Sequence, residues 1–566
     1  MRRRFLEGLL LGALLLWGAG PCSASRAPAA AVASAHPLAT EAGLEILAAG
    51  GNAFDAAVAV AAALAVVEPY ASGLGGGGFW LLHRAADGRE VMLDGRERAP
   101  LAARPDLYAH APQGASIDGP LAAGIPGVPA ALDHLARHYG RLPLERSLAP
   151  AIRLAETGFA VGERYVRMAR LRRESLRASP EAAAIFLQGG RVPETGFILR
   201  QPQLARTLRR LAEGGRAGFY QGDVARALVA SVRSAGGVWR PEDLRGYRVV
   251  ERAPVTGSYR GMRVVSAALP SSGGIVLLEM LNVLSGYRLD TLQGAVRAHL
   301  LVEAMRRAYR DRARWLGDPD YVQVPVARLL SPDYAAGLRV GIHPDHATSS
   351  DRLAPIDTTP VPVGPHTTHY SILDTEGNRV AATLSINWPF GSGFVAGETG
   401  VLLNDEMDDF VTRPGEPNVY GLVGGAANAV APGKRMLSSM SPSFLEYEGR
   451  TAILGTPGGS RIITMVLQAA LAFHAGASAE AMVSVPRIHH QYLPDRIEVE
   501  PDALDPAVIE ALEAMGHTVK RRTRKWGDMQ VVIWDQRAGR VEAASDPRGE
   551  GAARVVPSTA EAPAPP

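Results

Sequence analysis

The residues Thr367-Thr368-His369-Tyr370-Ser371-Ile372-Leu373 decide the fold predicted for this chain of 566 residues. They follow a stretch, residues 341–365, that holds five prolines and the pairs Ser-Ser and Thr-Thr. Such a stretch predicts irregular structure. The β-branched and aromatic residues after it predict a strand, and residues 380–384 predict a second one. The predicted structure therefore changes at residue 367, from irregular chain to β-strands.

Thr367 is a candidate nucleophile, because a cut just before it would give this threonine a free α-amine. An α-amine titrates near ~7.7–8.0 and can serve as the base that a hydroxyl nucleophile needs. Taken alone, Thr367 and Thr368 are better explained as the start of an ordinary strand. The neighbouring motifs are needed to distinguish a nucleophile from an ordinary strand residue.

The first residues predict a Sec signal peptide over residues 1–24. A basic start at residues 2–4 precedes an apolar stretch at 5–17, and small residues stand at the −3 and −1 positions before a cut after Ala24. We therefore expect a periplasmic or secreted protein without a membrane span in its mature form. Cys22 invites a lipoprotein interpretation, but Pro21 is a poor residue before an acylated cysteine. Removal of Cys22 would leave no cysteine, which suits an oxidising compartment.

The composition is that of a globular enzyme, with 47% hydrophobic and 21% charged residues. A single cysteine excludes a disulfide scaffold and a Cys-cluster metal site. Sixty basic residues against 57 acidic ones leave a formal charge of +3, and the basic run is confined to residues 520–525. We expect no nucleic-acid partner, no metal and no cofactor, since phosphate-loop and zinc-site motifs are also absent from the sequence.

Residues 52–67 predict a helix that is buried on all sides. The glycine run at 73–78 contains G-x-G-x-x-G, but a helix precedes it and a strand at 79–83 follows it, the reverse of a dinucleotide-binding loop. We expect close backbone packing there instead. Residues 130–340 predict mostly helices, and residues 557–566 predict a disordered tail.

Seven ordered motifs resemble those of the γ-glutamyltranspeptidase family and extend over nearly the whole mature chain. They are GGNAFDA (50–56), GLGGGG (73–78), DGRE (94–97), TTHYS (367–371), NDEMDDF (404–410), PGKRMLSSM (432–440) and PGG (457–459). The resemblance implies an α/β (α+β) fold, the four-layer αββα sandwich of the N-terminal-nucleophile hydrolases. It also implies a proenzyme that cuts itself between His366 and Thr367. The products would be a large subunit, residues 25–366, and a small catalytic subunit, residues 367–566, which form a heterodimer.

The resemblance implies catalytic roles for four residues. Thr367 would attack a γ-amide carbonyl and form a γ-glutamyl ester, and Ser385 would support this nucleophile. Gly458 and Gly459 would present backbone N–H groups to the oxyanion. Without the resemblance, Ser385 fits an ordinary strand residue, and the two glycines after a proline fit a turn.

The remaining residues implied by the resemblance bind the substrate. The residues expected to bind the α-carboxylate are Arg96, Ser438 and Ser439. The residues expected to bind the α-ammonium are Asn387, Glu406 and Asp409. Tyr420 would cover the pocket from a lid loop at residues 417–425. Some bacterial members carry glutamine where this chain has Glu406. Without the resemblance, the serine pair fits a surface turn, and the lid segment fits a static surface loop.

The implied donors are glutathione and other γ-glutamyl compounds, and the implied acceptors are water, amino acids and dipeptides. Two alternatives stay open. One is a glutaryl- or cephalosporin-type acylase of the same superfamily, which has less need of the ammonium-binding Glu406 and Asp409. The other is a processed, non-catalytic binding protein, against which the intact Thr367 argues.

Overall fold

The structure, a computed structural model, describes residues 26–353, 367–413 and 415–558. The predicted signal peptide with Cys22, the residue His366 of the predicted cleavage site, and residues 559–566 of the predicted tail lie outside the described residues. The predicted start of the tail was wrong, because Pro557 is the last residue of a strand and pairs with Ala29.

The strands follow one another along the whole described chain. They are β1 (Ala29–Ser34), β2 (Gly77–Arg84), β3 (Arg89–Gly95), β4 (Phe159–Ala160), β5 (Ile198–Leu199), β6 (Val250–Arg252), β7 (Val255–Tyr259), β8 (Met262–Ser266), β9 (Thr368–Leu373), β10 (Arg379–Ser385), β11 (Ser443–Tyr447), β12 (Arg450–Gly455), β13 (Ile488–His489), β14 (Ile497–Val499), β15 (Val519–Arg521), β16 (Gln530–Asp535), β17 (Arg540–Ser545) and β18 (Ala552–Pro557).

The helices lie mostly before residue 341. They are α1 (Pro37–Ala48), α2 (Ala53–Val67), α3 (Val128–His138), α4 (Leu144–Thr157), α5 (Glu163–Leu171), α6 (Arg173–Ala178), α7 (Pro180–Phe186), α8 (Pro202–Gly214), α9 (Arg216–Tyr220), α10 (Gly222–Ser234), α11 (Pro241–Gly246), α12 (Gly273–Leu284), α13 (Gly294–Trp315), α14 (Val326–Leu329), α15 (Pro332–Val340), α16 (Ile462–His474), α17 (Ala479–Ser484) and α18 (Pro506–Ala514). Nowhere in the described ranges does a helix combine the length and apolarity needed to cross a membrane.

Two antiparallel sheets form the centre of the molecule. One has the strand order β18-β1-β9-β10-β2-β3-β6, and the other has the order β17-β16-β12-β11-β8-β7. They pack face to face over apolar side chains such as Leu81, Phe444 and Ile453. Helix α2 packs on the outer face of the first sheet, and α12 and α16 pack on the second. The predicted four-layer αββα sandwich is confirmed.

Helix α2 is buried along its entire length, as predicted. The Asn52 side chain accepts hydrogen bonds from the backbone N–H groups of Phe54 and Asp55, and the Asp55 carboxylate accepts one from Asn52 N–H in return. This capping box satisfies the first N–H groups of the helix. The small side chains that follow let the helix pack closely between α1 and α4.

The glycine run between α2 and β2 is packed tightly against another backbone, also as predicted. A Cβ at Gly75 would lie 2.0 Å from the carbonyl oxygen of Leu402. Gly75 also forms an isolated parallel bridge with Leu403. The glycines therefore serve this close approach.

The prediction of mostly helices over residues 130–340 is confirmed, whereas the prediction for the proline-rich stretch after it was wrong in part. Strands β6, β7 and β8 interrupt the stretch predicted to be mostly helical. They are three to five residues long. β6 pairs with β3 and β8 pairs with β11, both distant in sequence, and β7 pairs with β8 at the edge of its sheet. The proline-rich stretch contains a short 3-10 helix, Ser350–Leu353, although it was predicted to be irregular throughout.

Candidate active site

Thr367 lies at the end of the central strand pair of the seven-stranded sheet. The register of β9 and β10 pairs Thr368 with Leu384, and one further step sets Thr367 opposite Ser385. Successive side chains of a strand point to opposite faces. The Thr368 hydroxyl accordingly donates to Glu68 Oε2 at 2.7 Å, whereas Thr367 lines a cavity.

This cavity, with a volume of about 20 Å³, brings together residues that are far apart in sequence. The predicted site residues lining it are Thr367, Ser385, Arg96, Asn387, Glu406, Asp409, Tyr420, Ser438, Ser439 and Gly459. Gly458 does not line it, although it is the neighbour of Gly459. Leu422, Met440 and Ile462 complete the wall and were not predicted.

Arg96 is the centre of an ion-pair cluster on the cavity wall. Its Nη1 lies 2.5 Å from Glu406 Oε2, and its Nη2 lies 2.6 Å from Asp409 Oδ2. Burial opposes the charge of Arg96, but Glu406, Glu97 and Asp409 together raise its pKa. Burial also raises the pKa of Glu97 well above its usual range. Even without Glu97, one arginine and two carboxylates leave this cluster with a net negative charge when Glu406 is ionised.

The pKa of Glu406 is raised to about 7, mainly by burial. Arg96 opposes this shift and Asp409 adds to it. Glu406 therefore changes its charge near neutral pH, which an exposed glutamate does not do. A cationic group bound beside it would favour the ionised form.

The serine pair lies next to a buried arginine of helix α13. Arg312, on α13, is 5% exposed. Its Nε donates to Ser272 Oγ at 2.9 Å, and its Nη2 donates to Ser439 Oγ at 3.1 Å. Among the described residues it has no carboxylate within ion-pair distance. Ser439 thus accepts from a cation and keeps its own hydroxyl proton for another partner.

The Gly458-Gly459 turn has a conformation that requires glycine. Gly459 has a φ of +57°, and a Cβ there would lie 2.3 Å from the ring of Tyr420. Within the described chain, no oxygen accepts a hydrogen bond from the backbone N–H of Gly458 or Gly459. Tyr309 on α13 donates to the carbonyl of the following Ser460 and fixes the turn.

The predicted lid loop is closed over the cavity and held by hydrogen bonds. The Tyr420 hydroxyl donates to the carbonyl of Asn387 at 2.6 Å. Asn418 Nδ2 donates to Asp409 Oδ1 at 2.9 Å, and Val419 N–H donates to Asp408 Oδ2 at 2.7 Å. The lid is therefore tied directly to the acidic motif that contributes Asp409.

Arg312 and Tyr309 are the contributors that sequence reasoning missed. Both lie on one arginine-rich helix, α13, three positions apart and so on the same face. In the sequence, Arg312 is simply one of several arginines in this helix. Only the structure shows that the others form ion pairs or face solvent, whereas Arg312 does neither. The burial that distinguishes Arg312 comes from the packing of α13.

One group of side chains has the composition of a metal site. Ligand atoms of His299, Glu303 and His517 lie within 4.8 Å of one another. However, His299 Nδ1 lies 2.8 Å from His517 Nε2, a hydrogen-bond distance. Two histidine nitrogens on one tetrahedral zinc, each ~2.0–2.1 Å from the metal, lie farther apart. Glu303 is also paired with Arg307. The group is a hydrogen-bonded network.

Comparisons with known proteins show which family this chain resembles over most of its length. A family model described as gamma-glutamyltranspeptidase matches residues 39–556. A glutathione hydrolase proenzyme of a Pseudomonas species is 44% identical over 507 residues, which is 87% of this chain and 88% of the relative. The Escherichia coli glutathione hydrolase proenzyme is 40% identical and aligns over 92% of this chain and 91% of its own length.

A solved structure has the same fold over nearly the whole chain. The crystal structure of a cephalosporin acylase from Bacillus halodurans superposes with a TM-score of 0.82 at 29% identity. The superposition covers 96% of this chain and 99% of that one.

Proposed function

This chain belongs to the γ-glutamyltranspeptidase family, and from that premise we propose that Thr367 transfers γ-glutamyl groups from glutathione-like donors to water or to amines. The chain is an enzyme of this family, and the proposal concerns its residues and substrates. The observation that carries it is the cavity, in which Thr367 is surrounded by groups that complement both charges of an α-amino acid.

The proposed reaction has two steps. The Thr367 hydroxyl attacks the γ-carbonyl while its α-amine takes the proton, and the backbone N–H groups of Gly458 and Gly459 stabilise the oxyanion. Ser385, opposite Thr367 across the strand pair, supports the nucleophile. The leaving amine takes up the proton as the amide bond breaks, which leaves a γ-glutamyl ester on Thr367. Water or an acceptor amine then attacks this ester and regenerates the threonine.

Donor recognition depends on pairing both charges of the α-amino acid end, since an unpaired buried charge is costly. The net negative cluster of Glu406 and Asp409 around Arg96, together with Asn387, suits the ammonium. The carboxylate is proposed to lie at Ser438 and Ser439. Arg312, which donates to Ser439, adds positive charge there, and Arg96 on the cavity wall is proposed to add more, although it is paired with Glu406 and Asp409.

Maturation is proposed to use the same nucleophile. The Thr367 hydroxyl attacks the carbonyl carbon of His366 and displaces its own nitrogen, which becomes the free α-amine. Water then hydrolyses the resulting ester and separates residues 25–366 from residues 367–566. The two fragments stay together as a heterodimer, and the predicted signal peptide directs the precursor to the periplasm or the medium.

The test is product analysis with a γ-glutamyl anilide donor, with and without glycylglycine. We expect glutamate without the acceptor and a γ-glutamyl dipeptide in addition with it. A glutaryl anilide, which lacks the α-amine, is the matched control. Because Glu406 and Asp409 have no ammonium to bind in the control, we expect a lower kcat/KM. Equal turnover of both donors would contradict the proposal and favour an acylase, as in the cephalosporin acylase of similar fold.

A further inference from the structure

A second, larger concave surface lies beside the active-site cavity, between α5 and the segment that includes β15. It has a volume of about 1140 Å³. We call it the basic groove, because its wall carries the cationic side chains Arg167, Arg170, Lys520, Arg521, Arg524 and Lys525. Small-molecule sites have volumes of ~300–1,000 Å³, so the groove can accommodate a larger ligand.

The positive charge of the groove is not neutralised by carboxylates of the described residues. Three nearby acids are already bound, Asp528 by Arg164, Glu498 by Arg461 and Glu500 by Arg548. A fourth, Glu550, accepts from the Arg164 backbone N–H and offsets part of the repulsion on Arg167. None of the six groove cations forms an ion pair within the described parts of the chain. Burial and the neighbouring guanidinium groups of Arg164 and Arg524 lower the pKa of Arg167. A bound anion would relieve this repulsion.

This concentration of charge is unusual for the chain as a whole. The positive and negative charges of the whole sequence almost cancel, with 60 basic and 57 acidic residues. It contains only three lysines, and two of them, Lys520 and Lys525, line the groove. The groove is therefore a local feature and does not follow from a high net charge.

The groove and the active-site cavity share one short wall. Pro457 and Arg461 line the groove, whereas Gly459 and Ile462 line the cavity. The shared segment carries the proposed oxyanion N–H groups, where the bond to the leaving group or acceptor is broken or formed. A substrate that extends from the cavity past this segment would meet the cationic side chains.

We propose that the basic groove binds the acidic extension of a peptide substrate, a donor or acceptor that carries several carboxylates beyond the γ-glutamyl group. This inference rests on the proposed function and names its substrate class. Arginine forks bind carboxylates in two-pronged geometry. The concave shape and the wall segment 457–462, which the groove shares with the active-site cavity, favour a short peptide.

The experiment compares two acceptors, tri-glutamate and tri-glycine, with the γ-glutamyl anilide as donor. The wild-type enzyme should use tri-glutamate more efficiently, and this preference should weaken as salt rises because exposed charges are screened. In the variant Arg524→Glu/Lys525→Glu, the ratio of kcat/KM for the two acceptors should fall about tenfold, as expected when electrostatic attraction of a ligand is lost.

The matched control is Arg104→Glu/Arg233→Glu, which makes the same change in net charge at exposed positions away from the groove. It should keep the wild-type ratio. An unchanged ratio in the groove variant, or an equal fall in the control, would overturn the inference.

A binding measurement separates this inference from the proposed function. Fluorescence anisotropy of labelled tri-glutamate needs no turnover, and the peptide should bind the wild-type protein and the control but not the groove variant. If the anilide is not cleaved, the proposed function fails whatever the peptide does. If the anilide is cleaved but the peptide binds the groove variant as well as wild type, the inference fails alone. Tighter binding of a single-stranded oligonucleotide than of tri-glutamate would also overturn the assignment to acidic peptides.

Discussion

Glu406 shows how one residue can set a pH dependence. Its carboxylate is bound to Arg96 on one side and lines the proposed ammonium site, and its pKa is raised to about 7 by burial. Above pH 7 it is ionised and attracts a cation, and below pH 7 it is protonated and loses that attraction. The α-amine of Thr367, if freed, also becomes protonated in this range.

The first prediction separates these two groups by the substitution Glu406→Gln. At pH 8 the wild-type kcat/KM should exceed that of the variant about tenfold, since hydrogen bonds to charged groups contribute ~1.5–3 kcal/mol. At pH 6 the two should converge, because Glu406 is then neutral in the wild type. Steady-state kinetics between pH 5.5 and 8.5 measure this ratio. A ratio independent of pH would show that Glu406 does not titrate at the site.

Arg312 is predicted to act through Ser439 as a positioning residue. In Arg312→Gln, Ser439 loses its cationic donor, so KM for γ-glutamyl donors should rise about tenfold, in keeping with the energy of charged hydrogen bonds. The kcat value and the cutting of the chain should change less. Ser439→Ala supplies the control, because adding Arg312→Gln to it should have little further effect if both act together. Additive losses would assign Arg312 a separate structural role.

At the scale of elements, the lid loop and the glycine turn are mechanically linked. The Tyr420 ring occupies the space that a side chain at residue 459 would need. Tyr420 also donates to the carbonyl of Asn387, a residue that lines the cavity. The turn, the lid and the binding site can therefore be disturbed by one methyl group.

The variant Gly459→Ala should disturb the turn and the lid together. The new Cβ would clash with Tyr420 and should displace the lid, which we expect to lower kcat/KM at least about tenfold, as misplaced catalytic groups do. Limited proteolysis should cut residues 417–425 faster than in the wild type. Gly476→Ala is the matched control, because Gly476 also has a positive φ (+89°) but no atom within 4 Å of the added Cβ. Equal effects in both variants would attribute the loss to backbone strain alone.

At the scale of the whole molecule, strands from both sides of residue 367 alternate in one sheet. Strands β1 and β2 flank the pair β9 and β10, and β18 lies beside β1. Many hydrogen bonds therefore connect the two predicted fragments. A cut before Thr367 should leave the molecule in one piece.

The maturation prediction follows from this arrangement. Denaturing electrophoresis of the wild type should give two bands near ~36 and ~21 kDa, from about 106 Da per residue (59.9 kDa over 566 residues). Both fragments should elute together from a native sizing column. Thr367→Ala should remain one chain, whereas Thr368→Ala should still be cut, since its hydroxyl binds Glu68 instead. A small fragment whose first residue is not Thr367 would contradict the prediction.

The sequence alone determined the features that depend on local pattern. Strands β9 and β10, the buried helix α2 and the tightly packed glycine run were all predicted, because periodicity, side-chain size and glycine content act over a few neighbouring residues. The ordered motifs also identified the family and the four-layer fold. The short strands β6, β7 and β8 were missed, since a strand of three to five residues is stabilised mainly by its partners in the sheet.

The assembly and the charge of the site follow from long-range packing. It brought Arg96, Thr367 and Ser439 to one cavity, buried Arg312 beside Ser439, and raised the pKa of Glu406 to about 7. It also gathered α5 and the segment 520–525 into the basic groove. Burial and electrostatic interaction depend on which residues meet in space. When segments are separated by hundreds of residues, the packing of the two sheets and their helices determines which of their residues meet.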